Sequence, residues 1–328
     1  MNATVIRAGF LTTVQDLGRF GFRESGVSTG GALDQHALSI ANLLVGNDEA
    51  DAGLEITLGG FGVRFDDERL VSWCGGDFDV YIGSTVLPPG HFALICAGEE
   101  VIVDKPRIGC RAWFAISGGV DVPIVLLSRS TDLRAGFGGL AGRALQDRDV
   151  VSLGENSARA KGWIYNLKSE KIAPVSASHD WVSTAKVDPI LRVVRGSDWN
   201  RFGAATHRVL TSELFTVSSD SDRMGARLEG PELNRIENSD LVSEAVAPGT
   251  IQVPPNGQPI VLLGDCQTIG GYPKIAHVIT VDLPIAAQLR PGDQVRFLEI
   301  PLGEASRRLA ERNHDLEQFR VGLQLHTP

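Results

Sequence analysis

Four cysteines stand among 328 residues, Cys74, Cys96, Cys110 and Cys266, with no CxxC pair and no clustered histidines. That scatter argues against a zinc site or a disulfide framework, and no metal ligand is expected. Four free thiols fit a reducing, cytoplasmic setting. No run approaches the ~18 apolar residues of a membrane span. The N-terminal MNATVIRAGFLTTVQ lacks the charged start and continuous apolar core of a signal peptide. Basic blocks are missing too: 31 Lys and Arg face 40 Asp and Glu, for a net charge of −9. Such a chain is a poor partner for nucleic acid or a membrane surface. No GxxxxGK[ST] loop occurs, so motif reading assigns no nucleotide or other cofactor to this chain.

What is present is an ordinary globular composition, 43% hydrophobic with 37 glycines. The length suggests about two domains. Short segments rich in β-branched and aromatic residues recur: VSWC (71–74), FDVYI (78–82), FALIC (92–96), EVIVD (100–104) and CRAWFAI (110–116). Gly, Pro and Asp clusters separate them. This predicts a mainly β chain with a few helices, built as antiparallel barrels or sandwiches. After Asp34, a candidate N-cap, Ala37, Leu38, Ala41, Leu44 and Val45 follow helical spacing up to Gly46, predicting a helix over 35–45. A second helix is expected from about Glu304 to Phe319, in a C-terminal tail spanning 303–328. Residues 155–188 read as polar and irregular, which sets the boundary between a first domain over 1–170 and a second over 185–302. The halves echo each other in DVVSL at Asp149 and DQVRF at Asp293, suggesting two related barrels.

The richest segment for chemistry is LLGDCQTIGGYPKIA, residues 262–276. It surrounds Gly270–Gly271 with Asp265, Gln267, Thr268, Tyr272 and Lys274. Paired glycines let the backbone bend sharply and approach another group. Asp265 could orient or deprotonate an amide N–H, and Lys274 could neutralise a developing oxyanion. The bland alternative is a strand ending in a self-satisfied polar turn. Cys266 is expected to be a buried apolar thiol rather than a nucleophile. Near the N-terminus, Thr12, Thr13, Gln15, Asp16 and Arg19 precede a glycine-rich turn. Asp16 and Arg19, three apart, can pair and brace the loop. Residues 128–143 combine Arg129, Arg134 and Arg143 with Ser130, Thr131 and four glycines, which can form an anion nest or brace a connection. In 221–225, Asp222 and Arg223 can pair across a cleft or cap the following strand, while Met224 is expected to pack rather than contact a ligand.

Five blocks, taken together, resemble the carboxyltransferase-like family that includes the C subunit of bacterial 5-oxoprolinase, allophanate hydrolase subunit 2 and half of the urea carboxylase carboxyltransferase domain. They are TTVQDLGRFGFRESGVSTGGALDQHAL from Thr12, SRSTDLRAGFGGLAGRAL from Ser128, SDRMGARLEGP from Ser221, GTIQVPPNGQPIVLLGD from Gly249, and the 262–276 segment. The resemblance implies two cyclophilin-like β-barrels related by internal pseudo-symmetry. It implies a subunit of a multi-chain, ATP-dependent enzyme that opens 5-oxoproline to glutamate, assembled with subunit-B-like and subunit-A-like proteins on a small amide or lactam substrate. The alternatives are a carboxyltransferase subunit of a biotin-dependent urea or amide carboxylase, with carboxybiotin on another chain, and a non-catalytic regulatory partner of a kinase-inhibitor-like subunit. The chain holds only Met1 and Met224 and no Met-Lys-Met biotin acceptor. Thr13, Gln15, Asp16, Arg129, Ser130, Thr131, Asp222, Arg223, Gln267, Thr268, Gly270, Gly271 and Tyr272 become candidate substrate-binding residues, with Asp265 and Lys274 as catalytic candidates. Many relatives carry Arg where this chain has Cys266, and often Gly where it has Leu127.

Overall fold

A computed structural model describes residues 1–168, 170–182, 184–236 and 241–326. The last two residues of the expected tail, 327–328, and isolated positions 169 and 183 of the 155–188 stretch lie outside them. The chain divides into two compact units. Residues 1–19, 30–185 and 315–326 make the first, and 20–29 with 186–314 make the second.

The first unit is two six-stranded sheets. One runs, in spatial order, Val150–Ser152, Asn2–Ala8, Phe61–Phe65, Glu100–Val103, Val80–Ile82 and Thr85–Val86. The other runs Ile172–Ser176, His91–Ile95, Arg69–Asp77, Ile108–Ile116, Gly53–Thr57 and Leu11–Gln15. Alternation along each strand sends one residue set into a shared core: Val5, Phe61, Val63 and Phe65 from the first sheet, Val14, Leu54, Ile56, Trp73 and Phe114 from the second. The opposite face of the second sheet is covered by the helix Gln35–Leu44. Its eight positions from Ala37 to Leu44 are all buried. Asp34 caps it as expected, accepting from the Ala37 N–H at 2.9 Å.

The stretch 155–188 is not irregular. It carries the helix Ala158–Asn166, the edge strand Ile172–Ser176 and the single turn His179–Val182. Ala160, Trp163 and Ile164 give that first helix its buried side, and Trp163 meets Phe92 edge-on at 5.1 Å between ring centroids. The C-terminal helix runs Leu302–Leu325, longer than its apolar stripe predicts.

The second unit is a closed barrel. Its strands follow the order Ile190–Arg195, Lys274–Val278, Thr250–Gln252, Ile260–Leu262, Gly225–Glu229, Phe215–Val217 and Gln294–Glu299. The last pairs in parallel with the first, which closes the ring. Leu191, Val193, Phe215, Val217, Ile251, Val261, Val295 and Phe297 are buried at alternate positions and fill the interior. The mainly β architecture expected from composition is therefore present.

One turn tests the Leu127 observation. Val125 and Ser128 bridge through N–H to carbonyl bonds of 2.8 and 3.3 Å, leaving Leu126 and Leu127 at the tip. Both are left-handed, with φ of 52° and 60°. A two-residue hairpin with both central residues at positive φ demands Gly or Asn, since Cβ crowds the next carbonyl. Leu127 is 80% exposed, so its side chain contributes little burial in return. Leu127→Gly is expected to raise unfolding free energy by about 0.5–1 kcal/mol, the αL cost less the added chain entropy. Urea denaturation checks it, and an unchanged or lower midpoint would refute the strain.

Candidate functional site

The candidate residues assemble into two clusters, one within each unit. In the first unit Asp16 is the hub. Its Oδ1 accepts from Ser128 Oγ at 2.6 Å, Ser130 Oγ at 2.5 Å and the Gly18 N–H at 2.8 Å, and its Oδ2 accepts from the Arg129 N–H at 2.6 Å. The Asp16 N–H in turn donates to Ser130 Oγ at 2.9 Å. The expected Asp16–Arg19 pair does not form. Four donors already satisfy the carboxylate, and Arg19 instead donates to the Ser130 carbonyl and lies over the Phe137 ring at 4.6 Å. Gly138 is required here. A Cβ at this φ of 71° would collide with the Ser130 carbonyl and the Arg19 guanidinium.

The arginines of the 128–143 loop act as braces. Arg129 donates to the Val122 carbonyl at 3.1 Å and faces Asp121 at 3.5 Å, while Arg143 grips Asp149 through both oxygens at 2.7 and 2.9 Å. Thr131 Oγ1 donates to the Val14 carbonyl. Gln15 Nε2 donates to Thr13 Oγ1 at 3.0 Å and to the Thr131 carbonyl at 3.2 Å. Gln15 Oε1 is buried and has no hydrogen-bond partner among the described residues. Strand register places Thr13 opposite Glu55 and Glu55 opposite Trp113. Glu55, 1% exposed, accepts from the Leu33 N–H and from Trp113 Nε1, both at 3.0 Å, and stands 3.6 Å from Arg111. Glu55 and Arg111 escape sequence reading. The one available signal is a carboxylate inside the otherwise apolar strand Gly53–Thr57.

In the second unit, Arg223 and Asp265 form a two-point ion pair at 2.8 and 3.2 Å, with side chains 6% and 9% exposed. Asp222 does not pair with Arg223. Its Oδ1 caps the next strand by accepting from the Met224 and Gly225 N–H groups at 2.7 and 3.2 Å. Lys274 meets a different pair of carboxylates. Its Nζ reaches Glu244 at 2.8 Å and Asp198 at 3.4 Å, and its own N–H donates to Asp198 Oδ2 at 3.0 Å. Burial opposes charge on Lys274, yet Glu244 and Asp198 hold its ammonium above the usual lysine pKa. Burial likewise opposes charge on Asp198, and bonds from Lys274 and Arg201 outweigh it to keep that carboxyl below its usual value.

The Gly270–Gly271 bend pairs with a strand of its own: Ile269–Gly270 lies antiparallel to Glu244–Ala245. The Thr268 carbonyl accepts from the Val246 N–H at 3.1 Å. Gly270 sits against Gln252, whose Nε2 would be 2.6 Å from an added Cβ. Gln252, also missed in the sequence, is 1% exposed. Its Oε1 accepts from Gln267 Nε2 at 3.3 Å and its Nε2 donates toward the Tyr272 carbonyl at 3.4 Å. Gln252, Gln267, Tyr272 and Asp222 line one side of an open cavity of about 460 Å³ against the barrel wall, a size suited to a small ligand.

Cys266 is fully buried with Val246 and Leu262, and burial pushes its thiol up to about 11. At neutral pH it is a neutral packing group. Cys266→Ala is expected to keep turnover within about threefold while losing about 1 kcal/mol of stability. Loss of turnover in a stably folded variant would make the thiol a reactant.

The family profile described as "Carboxyltransferase domain, subdomain A and B" matches residues 25–299, most of the chain. The chain belongs to this family. Among curated members, the C subunit of 5-oxoprolinase from Escherichia coli strain K12 is 39% identical over 96% of each chain. The protein of the same name from Haemophilus influenzae is 34% identical over 94% of each. The crystal structure of Kluyveromyces lactis urea carboxylase superposes with a TM-score of 0.87 at 26% identity, covering 97% of this chain and 29% of that one. This chain spans a fifth of the K. lactis urea amidolyase structure, again with a TM-score of 0.87. The resemblance read from the sequence is to this same family. No helix among the described residues is long and apolar enough to cross a membrane.

Proposed function

We propose that this chain is the C subunit of a multi-chain, ATP-dependent 5-oxoprolinase that hydrolyses 5-oxoproline to glutamate together with subunit-B-like and subunit-A-like proteins. The observation that carries this reading is the 39% identity to the C subunit of a 5-oxoprolinase across 96% of both chains. The urea-processing relatives match only over a fraction of their own length.

The 128–143 loop does not fit a triphosphate. Arg143 is gripped by Asp149, Arg129 is turned to Val122 and Asp121, and the Ser128 and Ser130 hydroxyls serve Asp16. No step is therefore assigned to ATP on this loop. In this reading the 265–274 turn presents polar groups to the substrate amide. Lys274, kept protonated by two carboxylates, supplies positive charge toward the developing oxyanion. Asp265 acts through Arg223 to hold the turn.

The second reading, a carboxyltransferase subunit of a biotin-dependent urea or amide carboxylase, is supported by the close superposition on urea carboxylase. Carboxybiotin would arrive on another polypeptide. The deciding experiment is co-purification with the products of neighbouring genes, followed by two assays on the complex. ATP-dependent release of glutamate from 5-oxoproline is the expected result. Biotin-dependent carboxylation of urea without it would select the second reading, and a complex inactive in both assays would favour a regulatory role.

A further inference from the structure

The cavity on the barrel wall carries a donor and acceptor pattern specific enough to name its ligand class. Register places Arg227 opposite Ile260 and Ile260 opposite Gln252. Opposed residues share a face of the sheet, so Arg227 and Gln252 look out from the same side. Their neighbours Ala226, Val261 and Ile251 are buried in the barrel. Arg227 lines the cavity, is exposed, and its guanidinium has no hydrogen bond or ion pair among the described residues.

At the other wall Gln252 fixes the plane of Gln267 through its Oε1. That bond uses one Gln267 N–H and leaves the second N–H and the carbonyl for the cavity. A primary carboxamide offers donor and acceptor side by side. Its complement is an amide whose own N–H and C=O lie on the same side. A small ring forces that cis arrangement, whereas an open-chain secondary amide is trans and points the two groups apart.

We propose that this cavity is a lactam-carboxylate site, with Gln267 pairing edge to edge with the ring amide and Arg227 taking the carboxylate. The inference rests on the 5-oxoprolinase reading and locates its substrate on this chain. Asp222 is engaged by backbone N–H groups, but Asp220 and Glu229 stand exposed at the rim. Ring opening cleaves the lactam C–N bond into a carboxylate and an ammonium, which destroys the cis N–H and C=O edge that Gln267 pairs with. The site therefore favours the closed ring over its hydrolysis product.

The test is calorimetric titration of the full chain with 5-oxoproline, 2-pyrrolidone, cyclopentanecarboxylate and glutamate. 5-Oxoproline is expected to bind most tightly. Gln267→Leu should weaken it at least about tenfold, to the level of cyclopentanecarboxylate, and Arg227→Gln should lower it to the level of 2-pyrrolidone. Circular dichroism confirms that both variants are folded. No binding by the parent chain, or equal binding by all three proteins, would overturn the site. In the assembled complex, undiminished 5-oxoproline hydrolysis with unchanged KM in both variants would also overturn the site while leaving the enzyme assignment standing. A parent complex that ignores 5-oxoproline and carboxylates urea would overturn the assignment itself.

Discussion

Asp265→Asn is expected to lower the stability of the barrel unit by about 1–3 kcal/mol, because it removes the carboxylate that meets the buried guanidinium of Arg223 at two points. The pair is two-pointed and nearly dry, so solvent cannot replace what is lost. Its position makes the loss local as well as global. The Asp265 N–H donates to the Arg223 carbonyl at 3.1 Å, so side chain and backbone together pin the start of the 265–274 turn. Gln267 and Tyr272 then take their places at the cavity. Urea denaturation followed by circular dichroism measures the effect. A loss below about 1 kcal/mol in Asp265→Asn, with turnover abolished, would instead make Asp265 a working acid or base.

How far the sequence was legible depended on the range of the interactions. The strands at 71–74, 92–96 and 110–116 were visible because their residues suit a half-buried pleat and breakers flank them. The helix Gln35–Leu44 was visible because Asp34 satisfies an N–H three residues on. The helix Ala158–Asn166 was not, since only Ala160, Trp163 and Ile164 mark its buried side among polar neighbours. Short spacing misled at Asp16. Arg19 was the nearest opposite charge, but the donors that satisfy the carboxylate lie more than a hundred residues away at Ser128 and Ser130. The same limit hid Gln252 and Glu244, whose significance comes from register with the 265–274 segment. Charge type and turn chemistry pointed to that segment, while the partners that orient it became visible only through the closed barrel.

Lys274→Ala is the variant expected to damage turnover most. In the proposed reaction, removing one group that stabilises an oxyanion costs about 3–4 kcal/mol of barrier, or about 10²–10³ in rate. The structure adds a stability effect that sequence spacing does not reveal. Lys274 is 6% exposed, and its removal takes a cation from Asp198, itself largely buried. Arg201 still pairs with Asp198 at 3.0 Å, and the residue 274 N–H is retained, so the barrel should survive with a loss of about 1–3 kcal/mol. The pH dependence separates the two roles. Folding raises the Lys274 pKa, so its contribution is complete below the unfolded value of 10.5 and fades as pH climbs through the higher folded value. Folding lowers the Asp198 pKa, so its contribution is complete above 3.8 and fades as pH falls through the lower folded value. The parent chain should therefore be destabilised at both extremes, and Lys274→Ala should lose the alkaline limb while keeping much of the acid one. Lys274→Arg offers the complementary measurement. If it restores the stability profile but leaves turnover low, the ammonium acts on the reaction, whereas recovery of both would limit Lys274 to holding Asp198 and Glu244 in place.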